Sequence, residues 1–393
     1  MYFENISRRI IIYCVFACTF ILSTSGHLSF IKEHAEQKKR TVVHMSMTAN
    51  EPQQSWAYVT VRPKAHVFYW LYYTTHSSGF KERPLILWLQ GGPGASGTGY
   101  GNFQEIGPLN VSLNPRNTTW LQTASLLFID NPVGSGYSYV DEKDAYTTDV
   151  AQISADLLAV MKAFIKSNPD FSATPFYIFS ESYGGKMTAA FSAVLYDAAT
   201  KGDIKINFKG LALGDSWISP VDSTNSWGPY LYATSVVDVT GLDRISVAAK
   251  QVEDLVKEGK FKEATNAWSN TENVVEMTSG GVNFYNILDW DGSDSNRKYG
   301  GLDSRSPLEK LYDRHVRPMA NDDLDVLMNG LIKKKLKIIP ENVKWGGQSG
   351  EVFEYQSEDF MKNVTSTVNH LIQTTPLKVI VYSGQLDLIC DVL

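Results

Sequence analysis

Five short apolar runs constrain the fold of this 393-residue chain more than any other feature. They are Leu85–Leu89, Ser125–Ile129, Phe176–Phe179, Gly210–Leu213 and Lys378–Tyr382. None alternates with polar residues, which is the pattern of parallel strands covered on both faces. Parallel neighbours need a crossover, and helical stretches separate several of the runs. Residues 146–167 carry Val150, Ile153, Leu157, Leu158, Met161 and Ile165 at a helical spacing, and residues 184–199 are small and apolar. Strand followed by helix predicts an α/β fold, a mostly parallel sheet with right-handed crossovers. Upstream, residues 56–75 are rich in Val, Tyr, Phe and Trp with a break at residues 62–65, which predicts a hairpin.

Residues 220–375 interrupt this rhythm. Helices are expected over residues 243–258, 262–277 and 322–334, with polar loops between, so this stretch reads as a helical cap inserted into the sheet domain. The organisation expected is a leader at 1–26, a core at 27–219, the cap at 220–375 and a returning core segment at 376–393. The Lys333–Lys335 run reads as a solvated helix end. Asp289-Trp-Asp291-Gly-Ser-Asp294 faintly suggests a calcium loop, but the glycine and acid that such a loop needs further along are missing.

Net charge is −6 and no large basic block occurs, which argues against nucleic acid as a partner. Arg8 and Arg9 precede an apolar run, Ile10 to Leu22, and small residues follow at Ser23 to Gly26. That order predicts a secretory signal, too short to span a bilayer. The mature chain is then expected to be secreted or lysosomal, with no membrane attachment after removal of the leader. Cys14 and Cys18 leave with that leader, so Cys390 remains as a lone thiol. Sequons at Asn110, Asn117 and Asn363 are candidate glycosylation sites in the mature part, and a further match at Asn5 falls inside the leader.

The segment richest in chemistry is Phe176-Tyr-Ile-Phe-Ser-Glu-Ser182-Tyr-Gly-Gly185. A strand runs into Ser182 and small residues open a helix behind it, the layout that holds a nucleophilic hydroxyl above a sheet. Ser180 stands where the motif usually has its first glycine. Two other places support a catalytic reading. Trp88-Leu-Gln90-Gly91-Gly92-Pro93-Gly94 follows a buried run, and adjacent glycines leave backbone N–H groups bare for a developing oxyanion. Val379-Ile-Val-Tyr-Ser-Gly384-Gln-Leu-Asp387 ends the last run with an acid just beyond it. Serine before acid is the order of α/β-hydrolases, with a histidine expected last.

Gly91-Gly92-Pro93-Gly94, Asp130-Asn131-Pro132-Val133-Gly134, Glu181-Ser182-Tyr183-Gly184-Gly185 and Asp387-Leu-Ile-Cys390 together resemble the signature blocks of the serine carboxypeptidase family. Gln90, Gly214-Asp215-Ser216-Trp217 and Ser226-Trp227-Gly228-Pro229-Tyr230 resemble its retinoid-inducible group in particular. The resemblance implies an α/β-hydrolase fold and a peptidase that removes C-terminal residues through an acyl-enzyme. It implies Ser182 as nucleophile and Asp387 as the acid behind the base. The N–H groups of Gly92 and Tyr183 would form the oxyanion hole. Gln90, Gly91, Glu105 and Glu181 would receive the substrate's carboxylate. Two glutamates can do that only by holding a proton, so acidic pH should favour binding. Peptide or protein C-termini are the partners implied; no metal or other cofactor is, and oligomeric state is left open.

The sequence departs from the family in places. Gln90 stands where many members have asparagine, and Ala95 where many have cysteine. The family's histidine follows the acid by several tens of residues, yet all seven histidines here, His27, His34, His44, His66, His76, His315 and His370, precede Asp387. The expectation is a truncated chain lacking the last strand and helix of the fold, and inactive for want of a base. Two other readings stay open: a non-catalytic binder, and an acyltransferase using the same acyl-enzyme. Cys390 is expected either as a reactive thiol near the site or as a buried, inert cysteine.

Overall fold

The computed structural model describes residues 43–44, 51–290 and 322–393. The leader, His27, His34, His315 and most of the 289–294 loop lie outside the described residues. The fold is that of the compact unit His44–Leu393.

Strands β1 (Gln54–Arg62) and β2 (Ala65–Tyr72) form the expected antiparallel hairpin, with Trp56 opposite Trp70. The two indoles meet edge to face at 5.9 Å and are fully buried. Each indole N–H is satisfied, by the Leu336 carbonyl and the Gln54 side chain respectively, as buried indoles require. β3 (Leu85–Leu89) and β4 (Ser125–Ile129) are buried along their whole length, as their unbroken apolar runs predict. β5 (Tyr139–Val140) is a short addition beside β2.

Helix α1 (Val150–Ser167) starts at the first of its periodic apolar positions, four residues into the expected stretch, because the Asp149 carboxylate caps it by accepting the Gln152 N–H at 2.8 Å. β6 (Pro175–Ser182) leads directly into α2 (Tyr183–Lys201), which Gly202 closes in the left-handed region. β7 (Asn207–Ser216) follows. The strands then lie in the order β1-β2-β4-β3-β6-β7-β8, with β8 introduced below. β4, β3, β6, β7 and β8 are mutually parallel in that order, and β1 and β2 are antiparallel additions at one side. This is the α/β architecture expected.

Three helices come next: α3 (Pro220–Ala233), α4 (Val239–Lys257) and α5 (Phe261–Ser279). They pack side by side, and Gly228 of α3 allows Leu242 and Ile245 of α4 to approach closely. The helical stretch over residues 322–336 widens by one turn at residues 328–332. It is stitched to the sheet domain: the Tyr137 hydroxyl donates to the Met328 carbonyl at 2.6 Å. Further on, the Trp345 indole donates to Ser96 Oγ and the Gln348 amide to the Pro93 carbonyl. Helices α6 (Gly350–Gln356) and α7 (Thr365–Thr374) then lead to β8 (Lys378–Tyr382).

β8 departs from its expectation. Its run lacks alternation, yet it is not covered on both faces: Ile380, Val381 and Tyr382 are exposed. The reason is its place, since β7 is its only neighbour in the described sheet. Asn117 and Asn363 are exposed, whereas Asn110 is half-buried and its Oδ1 accepts the Asn114 N–H.

Candidate active site

Ser182 ends β6 with φ 54° and ψ −129°, a conformation that an L-residue adopts only where its surroundings enforce it. Several contacts do so. The Ser182 carbonyl accepts the Trp217 N–H at 2.9 Å. Behind it, a Cβ on Gly184 would fall 2.5 Å from the Leu89 carbonyl oxygen, and one on Gly185 would fall 2.1 Å from Ser216 Oγ. The start of α2 is therefore pressed against β3 and β7, which forces the chain to turn sharply at the serine.

The glycine loop after β3 lies beside the nucleophile candidate. A Cβ on Gly91 would meet Ser182 Cβ at 2.7 Å and Oγ at 3.1 Å. Gly92 has φ +110°, and Gln348 braces the loop at Pro93. The backbone of Gly91 thus passes Ser182 with no side chain between. Tyr183 opens α2, so its N–H belongs to the unpaired end of a helix.

Gln90 organises the acids. Its Oε1 accepts the Trp88 indole N–H at 2.7 Å, which fixes the amide's orientation. Its Nε2 then donates to Glu105 Oε1 at 2.9 Å and to Glu181 Oε1 at 2.5 Å. Glu105 Oε2 is buried and has no partner among the described residues. Burial pushes Glu105 up to about 7, against the opposing pull of the Gln90 hydrogen bond and of Arg116. Glu181 is held well above the usual carboxylate range, first by burial and then by the charges of Glu105, Asp215 and Asp387.

Asp387 sits on the turn after β8, with its N–H donating to the Gly384 carbonyl. Its carboxylate accepts the Cys390 N–H at 3.0 Å. Burial lifts its pKa to about 7, and the Asp215 and Asp391 charges add to that. Asp215, at φ +42° near the end of β7, accepts the Gly384 N–H at 2.5 Å and so ties this turn to the sheet.

One cavity of about 660 Å³ collects these groups: Ser182, Asp387, Gln90, Gly91, Gly92, Glu105 and Glu181 all line it. Sequence reasoning missed its other wall, built by Trp217, Trp268, Tyr285, Phe353 and Phe360. Trp217 and Asp215 fall in a block named above, but without a role. Cys390 takes the buried form of the two expected. It is 4% exposed and does not line the cavity, although Asp387 and Ile389 do. Burial raises its thiol well above the usual range, so it is shielded rather than reactive. No described histidine lines the cavity. His66 pairs with Asp141, His76 bonds Ser78, and His370 lies on α7 beside Thr374.

A sheet carrying a serine on a forced strand-to-helix turn, beside a bare glycine loop, defines an α/β-hydrolase. The chain belongs to the serine carboxypeptidase family, whose profile matches residues 46–393. It is 54% identical over 342 residues to the retinoid-inducible serine carboxypeptidase of Mus musculus, covering 87% of this chain and 75% of that protein. The Homo sapiens counterpart is 53% identical over the same shares. Serine carboxypeptidase-like 51 of Arabidopsis thaliana is 39% identical, covering 98% of this chain and 83% of its own length. Among solved structures, a prohormone-processing carboxypeptidase from Saccharomyces cerevisiae superposes with a TM-score of 0.72 at 20% identity. It covers 87% of this chain and 75% of its own, and it shows the fold. Among the described residues no helix is long and apolar enough to cross a membrane.

Proposed function

We propose that this chain is built to bind a peptide C-terminus and to present its last carbonyl to Ser182 for acyl-enzyme formation. The observation that carries this reading is the convergence of three groups on one cavity: Ser182, the Gly91–Gly92 backbone, and the acids Glu105 and Glu181 bridged by Gln90. Attack by Ser182 Oγ, with its proton passing to a base and from that base to the departing amine, would open the carbonyl to a tetrahedral oxyanion facing the Gly92 and Tyr183 N–H groups; collapse would break the peptide C–N bond and expel the terminal amino acid, and water would release the acyl group. Asp387 takes the place of the acid that orients a base. The raised acids supply the proton that a substrate carboxylate needs when it meets other carboxylates, so binding should be best on the acid side. Residues 220–375 form the cap, and a secretory or lysosomal setting with glycans at the three sequons fits the leader and the acid preference.

The test compares peptides with free and amidated C-termini at about pH 5. Free peptides should bind much more tightly; equal binding would remove Gln90, Glu105 and Glu181 from the recognition role. Ser182 as nucleophile is tested by fluorophosphonate labelling, which Ser182→Ala should abolish; labelling that persists in that variant would remove Ser182 from the role.

A further inference from the structure

Lys186 is completely buried on the first turn of α2, one turn from Ser182. A cation there works against the helix dipole, and its burial costs more than an apolar side chain would. Its contacts indicate what it does. Nζ lies 3.0 Å from Asp359 Oδ2 and also donates to the backbone carbonyls of Asp359 and Phe360. The Tyr183 hydroxyl donates to the same carboxylate oxygen at 3.1 Å. The Trp217 indole donates to the Phe360 carbonyl at 3.0 Å. The Phe360 backbone is thereby gripped from both α2 and the end of β7. Its ring lies parallel to Tyr183 at 5.9 Å and touches Trp217, Trp268 and Phe353 at 5.3, 4.8 and 5.2 Å. Phe360 is a cavity wall, so the segment that Lys186 holds is part of the substrate's surroundings.

We propose that Lys186, through Asp359, is a positioning residue that fixes Phe360 against the nucleophile turn and so sets recognition of an apolar substrate side chain, leaving the carboxylate end to Gln90, Glu105 and Glu181. This rests on reading the cavity as a peptide site. The aromatic contacts alone would hold Phe360 loosely; the charged grip gives its ring one position. Side-chain selection should depend on that grip, while capture of the terminal carboxylate should not.

The experiment uses the full chain with Ser182→Ala, so that peptides stay intact, and reads binding by fluorescence of the cavity residues Trp217 and Trp268 at about pH 5. The probes are N-acetyl-Phe-Phe and N-acetyl-Gly-Gly, both with free carboxylates. The parent should prefer the aromatic peptide by about tenfold or more, and Lys186→Met should cut that preference to about threefold or less, with glycine-peptide affinity changed by less than about twofold. If the single variant does not fold, the double variant Lys186→Leu/Asp359→Leu, which removes both charges together, takes its place. An unchanged preference, or equal weakening of both peptides, would overturn the proposal. So would failure of both variants to unfold cooperatively in urea, since the role would then be one of stability. If the parent binds free peptides no better than their amides, the underlying peptide-site reading fails instead.

Discussion

At the scale of single residues, Gln90 shows how one amide can set the chemistry of two acids. Its Nε2 donates to both Glu105 and Glu181, and its Oε1 is held by Trp88, so the amide cannot flip without losing all three bonds. The hydrogen bond from Gln90 lowers the Glu105 pKa against the larger upward push of burial. Removing it should therefore raise that pKa further. Free-carboxylate peptides should bind well below about 7 and lose affinity as pH rises through that value, because Glu105 then ionises. In Gln90→Leu this loss should move to higher pH while affinity at the optimum falls by about tenfold. Titration of peptide binding against pH checks both; a midpoint that moves down would contradict the assignment. Gly91→Ala tests a different contact. Its Cβ would press on Ser182 at 2.7 Å, so fluorophosphonate labelling should slow by about a hundredfold with little change in folding, whereas Gly330→Ala, which meets nothing within 4 Å, should leave labelling intact.

At the scale of elements, the sequence is legible where one segment carries its own instructions. β3 and β4 match their apolar runs to the residue, because burial on both faces leaves no polar interruption. Ser182, Gln90 and Asp387 are legible because each sits at or just past the end of a strand, in a short motif. α3 was not legible: Pro229 lies inside it and Ser, Thr and Asn fill its first half, so its helix is maintained by packing on α4 rather than by propensity. The aromatic wall was not legible either, since Trp217, Trp268, Tyr285, Phe353 and Phe360 come from separate segments and meet only in the fold. β8 shows the limit of pattern reading, because its apolar run predicts burial while Ile380, Val381 and Tyr382, at the edge of the described sheet, are exposed. An exposed apolar edge strand is a template for pairing with another chain. Ile380→Lys should accordingly raise the protein concentration at which light scattering begins, at a stability cost of about 1 kcal/mol or less. Unchanged scattering would place the aggregation-prone surface elsewhere.

At the scale of the whole molecule, the acids gathered in the cavity tie folding to pH. Glu105 and Asp387 titrate near about 7 in the folded chain, against ordinary values of 4.5 and 3.8, and Glu181 is raised as well. The folded state therefore keeps protons that the unfolded state has already released. Stability from this source is fully present below about 4 and is lost as pH rises through about 7. Lys186 has the opposite slope. Burial lowers its pKa to about 8 from 10.5, so the unfolded chain binds more protons between those values and stability rises with pH there. The urea midpoint, read by tryptophan fluorescence, should fall between about pH 4 and about 7, and level or recover above about 8. Glu105→Gln should flatten the fall between about 5 and 7, because the amide releases no proton. Lys186→Met should remove the alkaline recovery while leaving the acid limb in place. A midpoint that climbs steadily from about 5 to 7 in the parent would mean that the cavity acids are ionised in the folded state. Glu105 and Glu181 would then lack the proton that the proposed recognition of a carboxylate requires.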